Sequence, residues 1–243
     1  MTRRLLLVVL ASLPVAILRA ADAPPAADRE VRCIRGWHVH VDRGLLASDA
    51  EGTARALELM ERQLAEIERV VPAAAVEHLR AVPLYVNAEY PGAGPGAEYH
   101  PEADWLREHG RDPAMVRGVE FTNVRVFADD TRRMPNFVLH ELAHAYHHRV
   151  LDGGFANETI AAAFDKARKA GLYDSVERRF GDGRPPQVER AYAMTAVPEY
   201  FAETTEAFFS RNDFFPYTRD DLRRHDPEMC ALVARLWGAT DAR

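Results

Sequence analysis

The segment 136–151 (NFVLHELAHAYHHRVL) sets two histidines four residues apart, with a glutamate between them, inside a run of apolar and small residues. No other stretch constrains the fold as strongly. Its spacing predicts a helix from Asn136 to about Leu151, ended by Gly153-Gly154. Burying the apolar residues of that helix carries His140, Glu141 and His144 inward with them, and buried polar groups need partners. Residues four apart share a helix face, so His140 and His144 can grip one cation while Glu141 reaches a water beside it. Two ligands do not complete such a site, so another part of the chain has to supply a third.

The remaining pattern is that of one domain of mixed class. The 243 residues carry 31 basic and 37 acidic side chains, a net charge of −6. That balance argues against nucleic acid or an anionic membrane surface as the main partner, since both call for clustered Lys and Arg. Residues 1–20 read as a secretory signal, with Arg3 and Arg4 before an apolar run over 5–18 and small residues Ala20 and Ala21 at its end. The run is shorter than a bilayer core requires, and no later segment is long enough to span. A secreted or periplasmic protein without stable membrane insertion is the expectation. Residues 21–30, broken by Pro24 and Pro25, read as a flexible leader, with the folded domain over 31–243.

Within the domain, 37–41, 82–86 and 118–127 are expected strands, and 91–96 a loop. A long helix begins at Ser48 or Asp49 and ends near Val70, with Leu57, Met60, Leu64 and Ile67 on its inner face. The stretch 129–135 reads as a connector, and further helices are expected at about 156–170, 172–179, 196–211 and 227–237. A strand-bearing N-terminal half and a helical C-terminal half make an α+β fold. His38-Val39-His40 reads as strand with one histidine on each face. Cys33 and Cys230 could close one long-range disulfide or stay reduced.

The third ligand can be sought in two places. The metzincin solution is excluded, because it needs Gly at 147 and His at 150 where this chain has His147 and Val150. A thermolysin-like solution would use Glu158, which follows Asn157 but lies only fourteen residues after His144. The segment 198–209 (PEYFAETTEAFF) offers Glu199 and Glu203, four apart on one helix face among apolar residues. The plain alternative is a solvated acidic stripe through Glu199, Glu203 and Glu206. His147 and His148 fall toward the end of the HExxH helix and are expected to face solvent or to flank the ligands.

Taken together, His140-Glu-Leu-Ala-His144, Tyr192 and Glu199-Tyr-Phe-Ala-Glu203 resemble the zincin metallopeptidases of the anthrax lethal factor type, over about residues 115–210. The resemblance implies a Zn²⁺ held by His140, His144 and Glu199, with Glu141 as general base and Tyr192 hydrogen-bonding the developing oxyanion. It implies Glu203 as a carboxylate accepting a hydrogen bond from a ligand imidazole. It also implies a zincin-like α+β fold: a small mixed sheet over the HExxH helix, a helical C-terminal lobe supplying Glu199, and an edge strand within 118–127 holding an extended peptide. Pro198 sets the start of the Glu199 helix, leaving Tyr192 in the incoming turn. The expected activity is hydrolysis of a peptide or protein substrate by an exported zinc metalloendopeptidase; a zincin-shaped binding or scaffold module is the alternative.

Overall fold

The computed structural model describes residues 28–240. Strands β1 (Arg29–Ile34) and β2 (Trp37–Asp42) form a hairpin through Arg35 and Gly36, both at positive φ, the backbone that a two-residue turn needs to match strand twist. Three helices, α1 (Arg43–Ser48), α2 (Ala50–Val70) and α3 (Ala73–Arg80), carry the chain over to β3 (Leu84–Val86). Then come β4 (Ala97–Tyr99), α4 (Ala103–Glu108), β5 (Val119–Phe121), α5 (Phe127–Arg133) and the HExxH helix α6 (Phe137–Arg149). The C-terminal part holds α7 (Glu158–Lys169), a small hairpin of β6 (Val176–Arg178) and β7 (Gln187–Glu189), and helices α8 (Val197–Phe209), α9 (Arg219–His225) and α10 (Pro227–Trp237).

The main sheet has the order β1-β2-β3-β5-β4. Its three inner strands run parallel, and each outer strand is antiparallel to its neighbour. Parallel neighbours cannot be joined by a tight turn, which is why helices intervene between β2 and β3. The chain is therefore α+β. Trp37, Val39, Val41, Leu84, Val119 and Phe121 face the main core together with Leu57, Met60, Leu64 and Ile67 of α2 and Val138, Leu139 and Leu142 of α6. Each such side chain contributes about 1.5–3 kcal/mol on burial, so the inner faces of α2 and α6 lock both helices under the sheet. Tyr85, Leu106 and Met115 form a smaller apolar cluster apart from that core.

Several expectations change. The sheet already includes Arg29 and Glu30 in β1, so the end of the leader pairs with β2; residues 1–27, with the expected signal segment, lie outside the described residues. The strand within 118–127 stops at Phe121. At Asn123 the backbone turns out of the extended region, and its side-chain amide donates to Asp130 of α5 at 2.8 Å. The connector over 129–135 is largely the helix α5. In place of a helix over 172–179 there is β6, paired with β7. His38 and His40 share one face, because side chains two apart in a strand point the same way, and His40 stacks on Tyr85 at 4.8 Å. No disulfide joins Cys33, exposed on β1, to Cys230, buried in α10. Among the described residues no helix is long and apolar enough to cross a membrane.

Candidate metal centre

Two local devices fix the start of α6. The Asn136 side chain caps the helix by accepting from the Leu139 N–H at 3.1 Å and donates to the Gln63 carbonyl of α2. The Gln63 side chain in turn accepts from the Val138 N–H at 3.1 Å. Two of the four orphan donors of a helix N-terminus are thereby satisfied, and α6 is seated on α2. From Phe137 to His147 every residue of α6 is buried.

Helix α8 meets α6 from the other side. Val197 and Pro198 open its first turn, where a missing N–H costs nothing. Glu199 follows in that turn, and the positive end of the helix dipole favours its charge. The far end of α8 is held by α10, whose Trp237 indole N–H donates to Thr205 Oγ1 at 3.1 Å and stacks on Tyr146 of α6 at 4.0 Å. Tyr200 ties α8 to Asp226, the cap of α10.

Three donor atoms converge between these helices. His140 Nε2 and His144 Nε2 are 3.2 Å apart, and Glu199 Oε2 lies 3.2 Å from the first and 3.4 Å from the second. A tetrahedral ion with bonds of about 2.0–2.1 Å to nitrogen and oxygen has edges of roughly 3.3–3.4 Å between its ligands. The donor triangle matches one face of such a tetrahedron, so these three residues could hold a divalent ion with one position open. Glu158 begins α7 as an exposed residue and takes no part in the triangle.

The electrostatics carry the same signature. Burial alone would raise the Glu199 carboxyl, but hydrogen bonds from His140 and His144 outweigh it and hold the group well below the usual carboxylate range. Burial would lower His140, yet Glu199 and Glu206 on either side hold it well above an ordinary histidine. Glu141 is pushed up to about 8 by burial, with the Glu199 charge adding to the shift and His140 opposing it.

Behind His140 the structure corrects one assignment. The atom accepting from His140 Nδ1 is Glu206 Oε2, at 2.9 Å, whereas Glu203 Oε1 lies at 3.8 Å. Glu203 instead accepts from the Asn212 side-chain amide at 2.9 Å. With Nδ1–H given to Glu206, His140 turns Nε2 toward the triangle. Neither acid belongs to a solvated stripe: Glu203 is 3% exposed and Glu206 is fully buried. Burial pushes Glu203 up to about 8 and raises Glu206 as well.

Tyr192 stands where the incoming turn was expected, in a short 3₁₀ turn (Tyr192–Met194) before α8. It is 47% exposed and lines the same cavity as the triangle; its phenol is raised by burial and by the nearby Glu199 charge. His147 does not face solvent, one of its two expected places. It is fully buried between the rings of Phe155 and Phe201, at 5.2 and 5.1 Å, and burial lowers it to about 4. His148 Nδ1 meets the Tyr99 hydroxyl at 2.8 Å.

The cavity over the triangle has a volume of about 560 Å³ and is bounded by β4, α6, the start of α8 and the β6 arm. The strand beside it is β4, not β5, which is an inner strand of the sheet. Gly96, Glu98 and His100 take the ladder toward β5, as the bonds His100 N–H to Gly118 O and Thr122 N–H to Gly96 O show. The main chain of Ala97 and Tyr99 therefore faces the cavity, and the Tyr99 N–H donates to Glu141 Oε2 at 2.9 Å.

Glu206 and β4 are the features the sequence reading missed. Glu206 lies seven residues after Glu199 and so shares its helix face, a signal that was present but not decisive. β4 directly follows the expected loop over 91–96, and its three residues are too few to display alternation. Comparison with protein-family models, curated proteins and solved structures returns no match for this chain.

Proposed function

We propose that the chain is an exported zinc-dependent peptidase of zincin type, related in its site to the lethal factor class, and that its substrate is a peptide or protein. The observation that carries this reading is the His140–His144–Glu199 triangle with Glu141 beside it and an open cavity above. The donor set suits Zn²⁺, two imidazoles and a carboxylate with room for a fourth ligand. When bound, zinc supplies Lewis acidity, polarising a carbonyl and making water acidic enough to lose a proton near neutral pH.

The chain's own groups do the rest. Glu141 takes the proton of the attacking water and hands it to the departing amine. Tyr192 donates its hydroxyl hydrogen to the oxygen that gains charge as the carbonyl becomes tetrahedral. The cavity-facing main chain of Ala97 and the Tyr99 carbonyl support an extended peptide laid along β4, while the Tyr99 N–H stays with Glu141. Glu206 fixes the His140 ring by accepting from Nδ1.

Two substitutions test the reading, with zinc content and hydrolysis of a mixed peptide library as readouts. Glu141→Gln keeps one zinc per chain and loses hydrolysis by about 10²–10⁴-fold, the usual worth of a general base. His144→Ala loses both. Hydrolysis surviving in the Glu141 variant overturns the mechanism; zinc without hydrolysis in the unaltered chain points to the scaffold alternative.

A further inference from the structure

A second buried acid lies on the sheet, and the proposed chemistry does not use it. Glu120 sits on β5 between Val119 and Phe121, so its side chain leaves the sheet on the face opposite α6, where it is 1% exposed. Four donors surround it: the Asn87 amide at 2.6 Å, the Tyr90 hydroxyl at 2.6 Å, His100 Nε2 at 2.9 Å and Arg111 Nη1 at 3.1 Å. Burial would raise this carboxyl, but the hydrogen bonds from His100, Tyr90 and Asn87 prevail and hold it low.

Register makes this cluster matter to β4. Glu98 of β4 stands directly opposite Glu120 of β5, and like charges in that relation push strands apart. Arg111 bridges the two, since the same Nη1 also donates to Glu98. His100, one residue past β4, is tied to Glu120 as well. Both neighbours of Tyr99 are thus fastened to one anchor on the far face. At its free edge the Tyr99 N–H holds Glu141, and β4 itself is a three-residue edge strand with a partner on one side only among the described residues. A ladder that short does not fix an edge by itself.

We infer that Arg111, Glu120 and His100 form a positioning assembly that holds β4 in register, so that the Tyr99 amide keeps Glu141 aimed into the cavity. Arg111 acts by cancelling the repulsion between Glu98 and Glu120. The effect on hydrolysis rests on the peptidase reading; the effect on β4 does not.

The experiment uses the full zinc-loaded chain and reads amide hydrogen exchange at Tyr99, zinc content and peptide hydrolysis. Arg111→Met speeds exchange at Tyr99 about tenfold, as loss of one hydrogen bond to a charged group would, while amides within α6 and the zinc content stay unchanged. Hydrolysis falls about tenfold in parallel. Adding Glu98→Gln to Arg111→Met removes the repulsion and restores most of both losses, a rescue that a general loss of stability would not give. Exchange at Tyr99 within twofold of the unaltered chain, or no rescue by Glu98→Gln, overturns the inference. If Arg111→Met does not fold, Tyr90→Phe deletes one donor to Glu120 and is read the same way, with an unchanged Tyr99 amide counting against the assembly. Should the unaltered chain hydrolyse no peptide, the peptidase reading fails while the exchange result still decides the role of Arg111.

Discussion

Two groups of buried carboxylates, on opposite sides of β5 and β4, differ in one respect that separates their roles. Glu120 has four donors on its two oxygens and stays ionised below the usual range. Glu203 and Glu206 have one hydrogen-bond donor each, Asn212 and His140, and Glu206 Oε1 has no partner among the described residues. Both of these acids are raised. A buried charge that the protein itself satisfies is a piece of architecture, whereas acids left short of donors around an imidazole favour positive charge at that point. Placed next to the His140–His144–Glu199 triangle, the second arrangement suits a cation.

The contrast can be broken in four ways. Glu120→Ala takes the acceptor from three polar groups and leaves Arg111 with Glu98, and should cost about 3–5 kcal/mol, the usual result of breaking a buried charge pair from one side. Urea unfolding measures it; a loss below 1 kcal/mol would show that the four donors gain little from Glu120. Zinc should stabilise the chain by about 2.7 kcal/mol at a hundredfold excess over its Kd, a Tm rise of roughly 5–11 °C for a domain of this size. A thermal scan with and without chelator that shows no shift removes the cation from the donor-poor side.

The third test compares the two acids of that side. Glu206→Gln should weaken zinc binding about 10–100-fold by spoiling the acceptor for His140 Nδ1, with a smaller effect for Glu203→Gln, whose nearest oxygen is 3.8 Å from that atom. Competition titration with a zinc dye ranks them, and a reversed order would return the acceptor role to Glu203. The smallest effect is on pH dependence. Because the folded-state pKa of Glu120 is depressed, its ionised form adds stability that is fully present above the unfolded value near 4.3 and is lost as pH falls through the folded value. Glu120→Gln should flatten that part of the acid limb; an unchanged slope would mean that other carboxylates produce it.

Much of the site was legible because it is written in helix spacing. His140, Glu141 and His144 lie within one turn of a helix whose start Asn136 marks, and α10 runs over the residues expected for it. Pro198 signalled the start of α8, which put Glu199 in a first turn and Tyr192 ahead of it. Short elements were less legible. A three-residue strand such as β4 or β6 is too brief to display alternation, and Val176-Glu177-Arg178 became a strand only because Gln187–Glu189 came back to pair with it. His147 is a different case: its place near the helix end allowed solvent or a position beside the ligands, and Phe155 and Phe201 exclude the first by closing over it.

Sequence by itself determined which residues can act together within a single helix, because a 3.6-residue period assigns faces without reference to anything else. That covers the paired imidazoles of α6 and the row Glu199, Glu203 and Glu206 on α8. Which member of that row meets the Nδ1 of His140 was decided only when α6 and α8 packed, since the angle and phase of two helices come from the whole core. The same holds for β4 against Glu141 and for Glu98 opposite Glu120. Those relations join residues 22 to 66 positions apart in the chain, and only the tertiary fold sets the distance between them.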